Sequence, residues 1–310
     1  MHPVLLFLHM GAPSSIDEVE EYVYRFLSDV KEHLGVSGPR AEEIIRRIAE
    51  AEVEKARPRY EAIGGSPFQR YLREIASATA SMLGAEYRLA MCYAHPLVEE
   101  VDPGPALAVP LYPVYSEATT GRCLARLEAR WGSRPHLREW WRNRSFQEWV
   151  LRGAARGLSE SGYRSPHLVF TLHSIPERLV EEGDPYAESY GELAGLVASR
   201  LGVDYTLAYQ SAHGRHGWLG PSLREVMERL ASRGIRELVV YPLGFIAENM
   251  ETLYELDIEY REAAERLGID YYRARIDHRD PLLARAIAEE AGKILKTGAC
   301  PECSPGLARG

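Results

Sequence analysis

A chain of 310 residues with 45% hydrophobic side chains is long enough for one large or two medium domains with ordinary buried cores. A formal net charge of -8 speaks against a nucleic-acid-binding surface, and no run approaches the roughly 20 apolar residues of a membrane-spanning helix. Four cysteines do not make a disulfide framework: Cys92 and Cys123 stand apart, and Cys300 and Cys303 form a C-x-x-C near the end.

In chain order, MHPVLLFLHMG has neither a basic leader nor a small-residue cleavage site and reads as a first strand. The expected compartment is therefore the cytoplasm, with peripheral membrane contact left open. An amphipathic stretch at 17–34 follows, then the strand-like runs YRLAMCYA and ALAVPLYPVY and a second amphipathic stretch at 119–131. WGSRPHLREWWRNRS, 131–145, interrupts the rhythm with Trp, Pro and Arg before a helix at 146–160. Strand-like HLVFTLH, YTLAYQ and ELVVYPLGF then alternate with helical stretches at 186–201 and 221–233. Such alternation predicts an α/β protein built of βαβ units with parallel sheets, and function at the carboxyl ends of the strands. Six strands fall into two groups, giving a first domain over 1–158 and a second over 159–279. A last helix near 280–296 is expected to return to the first domain, leaving a Cys-containing tail at 297–310.

His173 closes an apolar run, where α/β proteins display functional groups, yet a lone histidine there is more often structural than catalytic. A partner is offered by YPLGFIAENMETLYELDIEYREAAERLG, in which Glu251, Glu255 and Glu259 recur every four residues and so share one helical face. A solvated acidic face is the usual meaning of that pattern. Here Leu253, Tyr254, Leu256 and Ile258 interleave it, and it begins directly after a buried strand, at the same crevice as His173. A row of oxygen ligands suits a hydrated divalent cation; an imidazole and a carboxylate on one cavity suit a borderline metal or proton abstraction. The loops IGGSP and PLYPVYS match no phosphate-binding glycine loop, although Glu117-Ala-Thr-Thr-Gly after the second is a plausible helix start. His213 and His216 in AYQSAHGRHGWLGP form a metal pair only if a third ligand joins them.

Taken in order, LLFLHMGAP, YEAIGGSP, YAHPLVEEV, PLYPVYS, LHSIPERLVEEGDPY, AYQSAHGRHGWLGP, ETLYELDIEY and DHRDPLLARAIAE resemble the ferrochelatase family, over nearly the whole chain. The resemblance implies two Rossmann-like domains with parallel sheets and a porphyrin cleft between them. It implies insertion of Fe2+, a substrate, into protoporphyrin IX or coproporphyrin III with release of two protons, in haem biosynthesis. His173 and Glu251 then correspond to the catalytic and metal-facing pair, and Glu255 and Glu259 to an acidic line that conducts metal. Met10, Gly65, Ser66, Tyr115 and Ser116 fall in the porphyrin-binding stretches. Departures from the family pattern are Glu248-Asn249 for Asp-His, His278 for Asn, Cys92 where many members have Arg, and a short connection after Pro96. A chelatase for cobalt or nickel is the alternative within enzymes, and a haem or porphyrin carrier the alternative outside them; a carrier would not need His173 with Glu251. The resemblance leaves a monomer or a homodimer open. Some members hold a [2Fe–2S] cluster through C-terminal cysteines and an internal one, which would require Cys92, Cys123, Cys300 and Cys303 together. With two terminal cysteines instead of the usual three, the other reading is a tail that binds adventitious zinc or nothing.

Overall fold

The computed structural model describes residues 2–31, 35–211 and 217–297. The chain begins with β1 (Val4–His9), continues through α1 (Val19–Asp29), α2 (Ala41–Ala62) and α3 (Phe68–Leu83), and returns as β2 (Glu86–Met91) and β3 (Leu107–Pro110). A π turn at Glu117–Gly121 opens α4 (Arg122–Trp131), and α5 (Arg144–Ser161) leads to β4 (His167–His173). Then come α6 (Glu177–Glu181), α7 (Tyr186–Leu201), β5 (Tyr205–Gln210), α8 (Leu223–Ser232) and β6 (Glu237–Tyr241). A π-helix (Glu251–Glu259) runs into α9 (Tyr260–Arg266), followed by β7 (Asp270–Arg273) and α10 (Pro281–Thr297).

The strands form two parallel sheets, ordered β2-β1-β3 and β5-β4-β6-β7. Parallel neighbours require crossovers, which the helices supply, so strands covered on both faces read as continuous apolar runs. The interiors of β1 and β4 are buried throughout, and both strands are internal to their sheets. β3 lies at an edge, where Pro110, without an N–H, is tolerated. One apolar cluster contains Leu5 and Phe7 of the first sheet and Phe170 and Leu172 of the second. The rhythm-breaking segment supplies it with Trp140 and Trp141, whose backbone N–H groups both donate to Pro113 O.

Three features differ from the sequence expectation. β7 is a seventh strand; its Asp-Tyr-Tyr-Arg is half polar and carries no apolar alternation, so pairing with β6 is what makes it a strand. The acid ladder lies on a π-helix, with i to i+5 bonding, rather than an α-helix. Cys92 and Cys123 are not isolated: both are fully buried and joined as a disulfide with Cα atoms 6.0 Å apart. They meet because the end of β2 and α4 cover the same apolar cluster, with Leu6, Ala90 and Leu127. Residue 158 falls inside α5, which packs on β6, β7 and α7, while α10 packs on α3 and α5. Among the described residues no helix is long and apolar enough to cross a membrane.

Candidate active site

β4 delivers His173 beside Gln210, its register partner at the end of β5. Ser174 N donates to Gln210 O at 2.9 Å, and Tyr186 Oη donates to His173 O at 2.9 Å, so the backbone around the imidazole is held from both sides. The ring Nδ1 lies 2.7 Å from Ser174 O. A carbonyl can only accept, so this contact places a proton on Nδ1 and, in the neutral ring, leaves the lone pair on Nε2. The imidazole is thus set up as a proton acceptor or a ligand.

Asn249 and Thr252 fasten the start of the acid helix. Asn249 N donates to Thr252 Oγ1 at 2.9 Å, and Thr252 N donates to Asn249 Oδ1 at 3.0 Å. The residue standing where the family pattern has histidine therefore satisfies one N–H group that a helix start leaves free. The opposite face is pinned through Asp257: Arg273 Nε and Nη2 donate to its two carboxylate oxygens at 2.9 and 2.5 Å, and Arg275 donates at 3.0 Å. Tyr271 Oη adds a bond to Leu256 O at 3.0 Å, so β7 anchors the helix that carries the acids. Arg273 also donates to Glu248 Oε1 at 2.5 Å.

Glu255 is the buried member of the line, 4% exposed. Gln210 Nε2 bridges Glu251 O and Glu255 Oε2, each at 3.4 Å, and Ser211 Oγ donates to the Glu255 carboxylate at 3.0 Å. Ser211 adopts φ 56°, the left-handed region that non-glycine residues seldom occupy, and the strained turn aims its hydroxyl at the acid. Burial, reinforced by the charge of Glu251, raises the Glu255 carboxyl from 4.5 to about 7; Ser211 and Arg59 oppose that rise, and Glu259 adds to it. Three carboxylates that feel one another are thus strung along one helix, beginning where β4 and β5 end.

The charge of Glu251 is felt in α1, α2 and the loop after β3. Burial is the main reason that the hydroxyls of Tyr22, Tyr60 and Tyr112 titrate above their usual range, and the charge of Glu251 contributes to all three. Tyr112 Oη accepts from Met10 N at 2.8 Å, and Tyr22 Oη donates to Gly11 O at 3.2 Å, which ties these rings to the end of β1. His9, stacked on Tyr112 with ring centroids 4.3 Å apart, is lowered by burial to about 3. At neutral pH it is uncharged.

Gly65, at φ 89°, adopts a turn that glycine allows, and its N–H donates to Tyr60 O at 2.9 Å. Ser66 is buried, with Oγ accepting from Phe68 N at 3.3 Å. Tyr115 donates to Glu117 and has the Arg138 guanidinium 4.0 Å from its ring centre. The Ser116 hydroxyl is fully buried, donating to Asp184 Oδ2 at 2.9 Å and accepting from Ala118 N at 3.1 Å. Asp184 also accepts from Glu117 N at 2.7 Å and Tyr186 N at 3.0 Å, joining the loop after β3 to that before α7. His278 is engaged elsewhere, with Nε2 2.9 Å from Glu74 Oε2 and its ring stacked on Tyr71. His213, His216, Cys300 and Cys303 lie outside the described residues.

Gln210, Ser211, Asp184 and Arg59 were not singled out from the sequence. Gln210 had a usable signal, a polar residue closing an apolar strand in the same way as His173. The others act through partners far away in the chain, which no local pattern reports.

The fold and the site define a two-sheet α/β protein that brings an imidazole and a carboxylate line together at the strand ends. The same fold occurs in a solved structure of CbiX, described as the terminal enzyme for sirohaem biosynthesis in denitrifying bacteria: TM-score 0.55 at 15% identity, covering 94% of this chain and 99% of that one. The ferrochelatase family model matches residues 3–293. A ferrochelatase of Geotalea uraniireducens is 37% identical over 87% of this chain and 90% of its own length. One from Synechococcus sp. is 36% identical over 92% and 90%, and one from Aquifex aeolicus 32% identical over 86% and 91%. The chain belongs to the ferrochelatase family, metal-chelating lyases that insert Fe2+ into a porphyrin in haem biosynthesis.

Proposed function

We propose that His173 and Glu251 are the groups that serve metal insertion, with Fe2+ arriving along Glu259 and Glu255. The observation that carries this reading is the continuity of the acid line with the ends of β4 and β5, through Gln210 and Ser211, while the charge of Glu251 is felt at Tyr112, whose hydroxyl accepts from Met10 N. Two pyrrole N–H protons must leave as the metal enters. Nε2 of His173, the acceptor nitrogen of the neutral ring, suits the role of proton acceptor, and Glu251 on the same junction suits a second acceptor or a metal contact. Glu255, titrating at about 7, carries less than a full charge at neutral pH. A relay station of that kind attracts a passing cation without becoming a sink for it. Met10, Gly65, Ser66, Tyr115 and Ser116 are proposed to shape the porphyrin side, Ser116 through the Asp184 bond rather than through a free hydroxyl.

The test is anaerobic Fe2+ insertion into metal-free porphyrin, followed by absorbance. His173→Ala is expected to lose at least about 100-fold in kcat, the lower bound usual for a positioned acid or base, while keeping porphyrin affinity. Glu251→Gln should also lose rate, whereas Glu259→Gln should chiefly raise the KM for Fe2+. Turnover near wild type in His173→Ala would refute the assignment.

A [2Fe–2S] cluster does not fit the cysteines as they stand. Cys92 and Cys123 are bonded to each other and buried among apolar side chains, so neither offers a thiolate. A cluster held by all four cysteines would require that bond reduced. Protein purified anaerobically should be colourless, with a Cys92 to Cys123 linked peptide on non-reducing digestion; visible absorption lost in Cys300→Ser would reverse this reading. The location proposed for the enzyme is the cytoplasm.

A further inference from the structure

Arg59 lies in the last turn of α2, one residue after Pro58, in a helix that packs on α1. It reaches the acid line on the π-helix that follows β6. Its Nη2 is 3.4 Å from Glu259 Oε1 and its Nη1 3.9 Å from Glu255 Oε1, and its guanidinium carbon stands 5.6 Å from the centre of the Tyr254 ring. α2 and the π-helix pack directly together, so this reach is built into the fold. The guanidinium is permanently charged, presents a fork of donors and is only 27% exposed. It spans the same two carboxylates assigned above to metal delivery.

That placement has a direct electrostatic consequence. Three carboxylates in a row, one of them buried, repel one another, and a cation between the second and third offsets the repulsion. A divalent metal offsets it better, but a dication and a guanidinium cannot share the same carboxylate oxygens. The Tyr254 ring offers the guanidinium a neighbouring resting place, since a cation is attracted to an aromatic face within about 6 Å. We propose that Arg59 is a built-in counter-cation that occupies the Glu255 and Glu259 carboxylates between turnovers, is displaced by the incoming metal, and so sets the metal concentration at which the acid line loads. The proposal rests on the reading of Glu255 and Glu259 as the metal path, and adds a competitor to that path.

An ion pair that merely fastened α2 to the π-helix would behave differently. Its loss would lower stability and leave metal affinity unchanged or weaker, whereas loss of a competitor tightens metal binding. The experiment is equilibrium binding of Mn2+, a carboxylate-seeking dication, to the full chain without porphyrin, measured by the paramagnetic signal of free Mn2+. Arg59→Gln is expected to tighten Mn2+ binding about tenfold and to lower the KM for Fe2+ by a similar factor; tenfold corresponds to about 1.4 kcal/mol. Arg59→Lys, which keeps the charge, should stay close to wild type, and Arg59→Met, which keeps the apolar stem, should follow Arg59→Gln even if one variant folds poorly. Unchanged or weaker Mn2+ binding in Arg59→Gln and Arg59→Met, with Glu255→Gln still weakening it, would overturn the counter-cation and leave the metal path standing. Binding indifferent to Glu255→Gln and Glu259→Gln would instead remove the path, and the proposal with it.

Discussion

Replacing Glu255 with glutamine is expected to make the metal-free protein more stable, by an amount that grows with pH. In the folded protein burial and the neighbouring Glu251 raise the Glu255 carboxyl from 4.5 to about 7. At about 1.4 kcal/mol for each tenfold change in proton affinity, ionising it in place costs roughly 3 kcal/mol more than ionising it in the unfolded chain. Because the folded-state pKa is the higher one, the native state holds more protons than the unfolded state between about pH 4.5 and 7. Stability from this group therefore falls as pH rises through that window, and the loss is complete above about 7. Glutamine, nearly isosteric with the protonated acid, has no such loss. Urea unfolding of both proteins at pH 5, 6, 7 and 8 reads the difference directly, since all other titrating groups are common to the two. The variant should be ahead of wild type by about 1 kcal/mol at pH 5 and by roughly 3 kcal/mol at pH 8. A difference that does not change with pH, or a less stable variant at pH 8, would refute the account of Glu255 as a carboxyl held against its charge. In the same variant the KM for Fe2+ should rise, so that the costly charge and metal delivery trace to one side chain.

Arg273→Ala should destabilise the protein by about 3 to 5 kcal/mol, because it leaves the buried Glu248 carboxylate without its cation and removes the clamp on Asp257. A loss below about 1 kcal/mol in urea unfolding would show that the acid helix does not depend on β7. Asn249→His breaks the reciprocal bonds with Thr252 and should cost about 1 kcal/mol; if the added imidazole also enters proton handling, the pH optimum of insertion shifts toward its range near 6.5. Unchanged stability in that variant would mean that the bonds to Thr252 do not support the helix start.

Much of the fold was legible because it is written in local periodicity. Apolar runs of strand length separated by amphipathic stretches identify a parallel α/β protein, and they identified six of its strands. The same reasoning reached His173 at a strand end and Glu251, Glu255 and Glu259 at a regular spacing, since those positions follow from where an element stops and how a helix repeats. What escaped it depends on partners distant in sequence. β7 is a strand because β6 offers it a register, and Cys92 meets Cys123 because β2 and α4 cover one cluster across 31 residues of separation. Asp184 holds Ser116 across 68 residues, and Arg59 meets Glu259 across 200. The π geometry of the acid helix belongs with these, for its opposite face is held by the side chains of β7. The burial that moves Glu255 to a pKa of about 7 is likewise a property of packing, because the cost of a charge depends on how much water the surrounding elements exclude, and no stretch of sequence contains those surroundings.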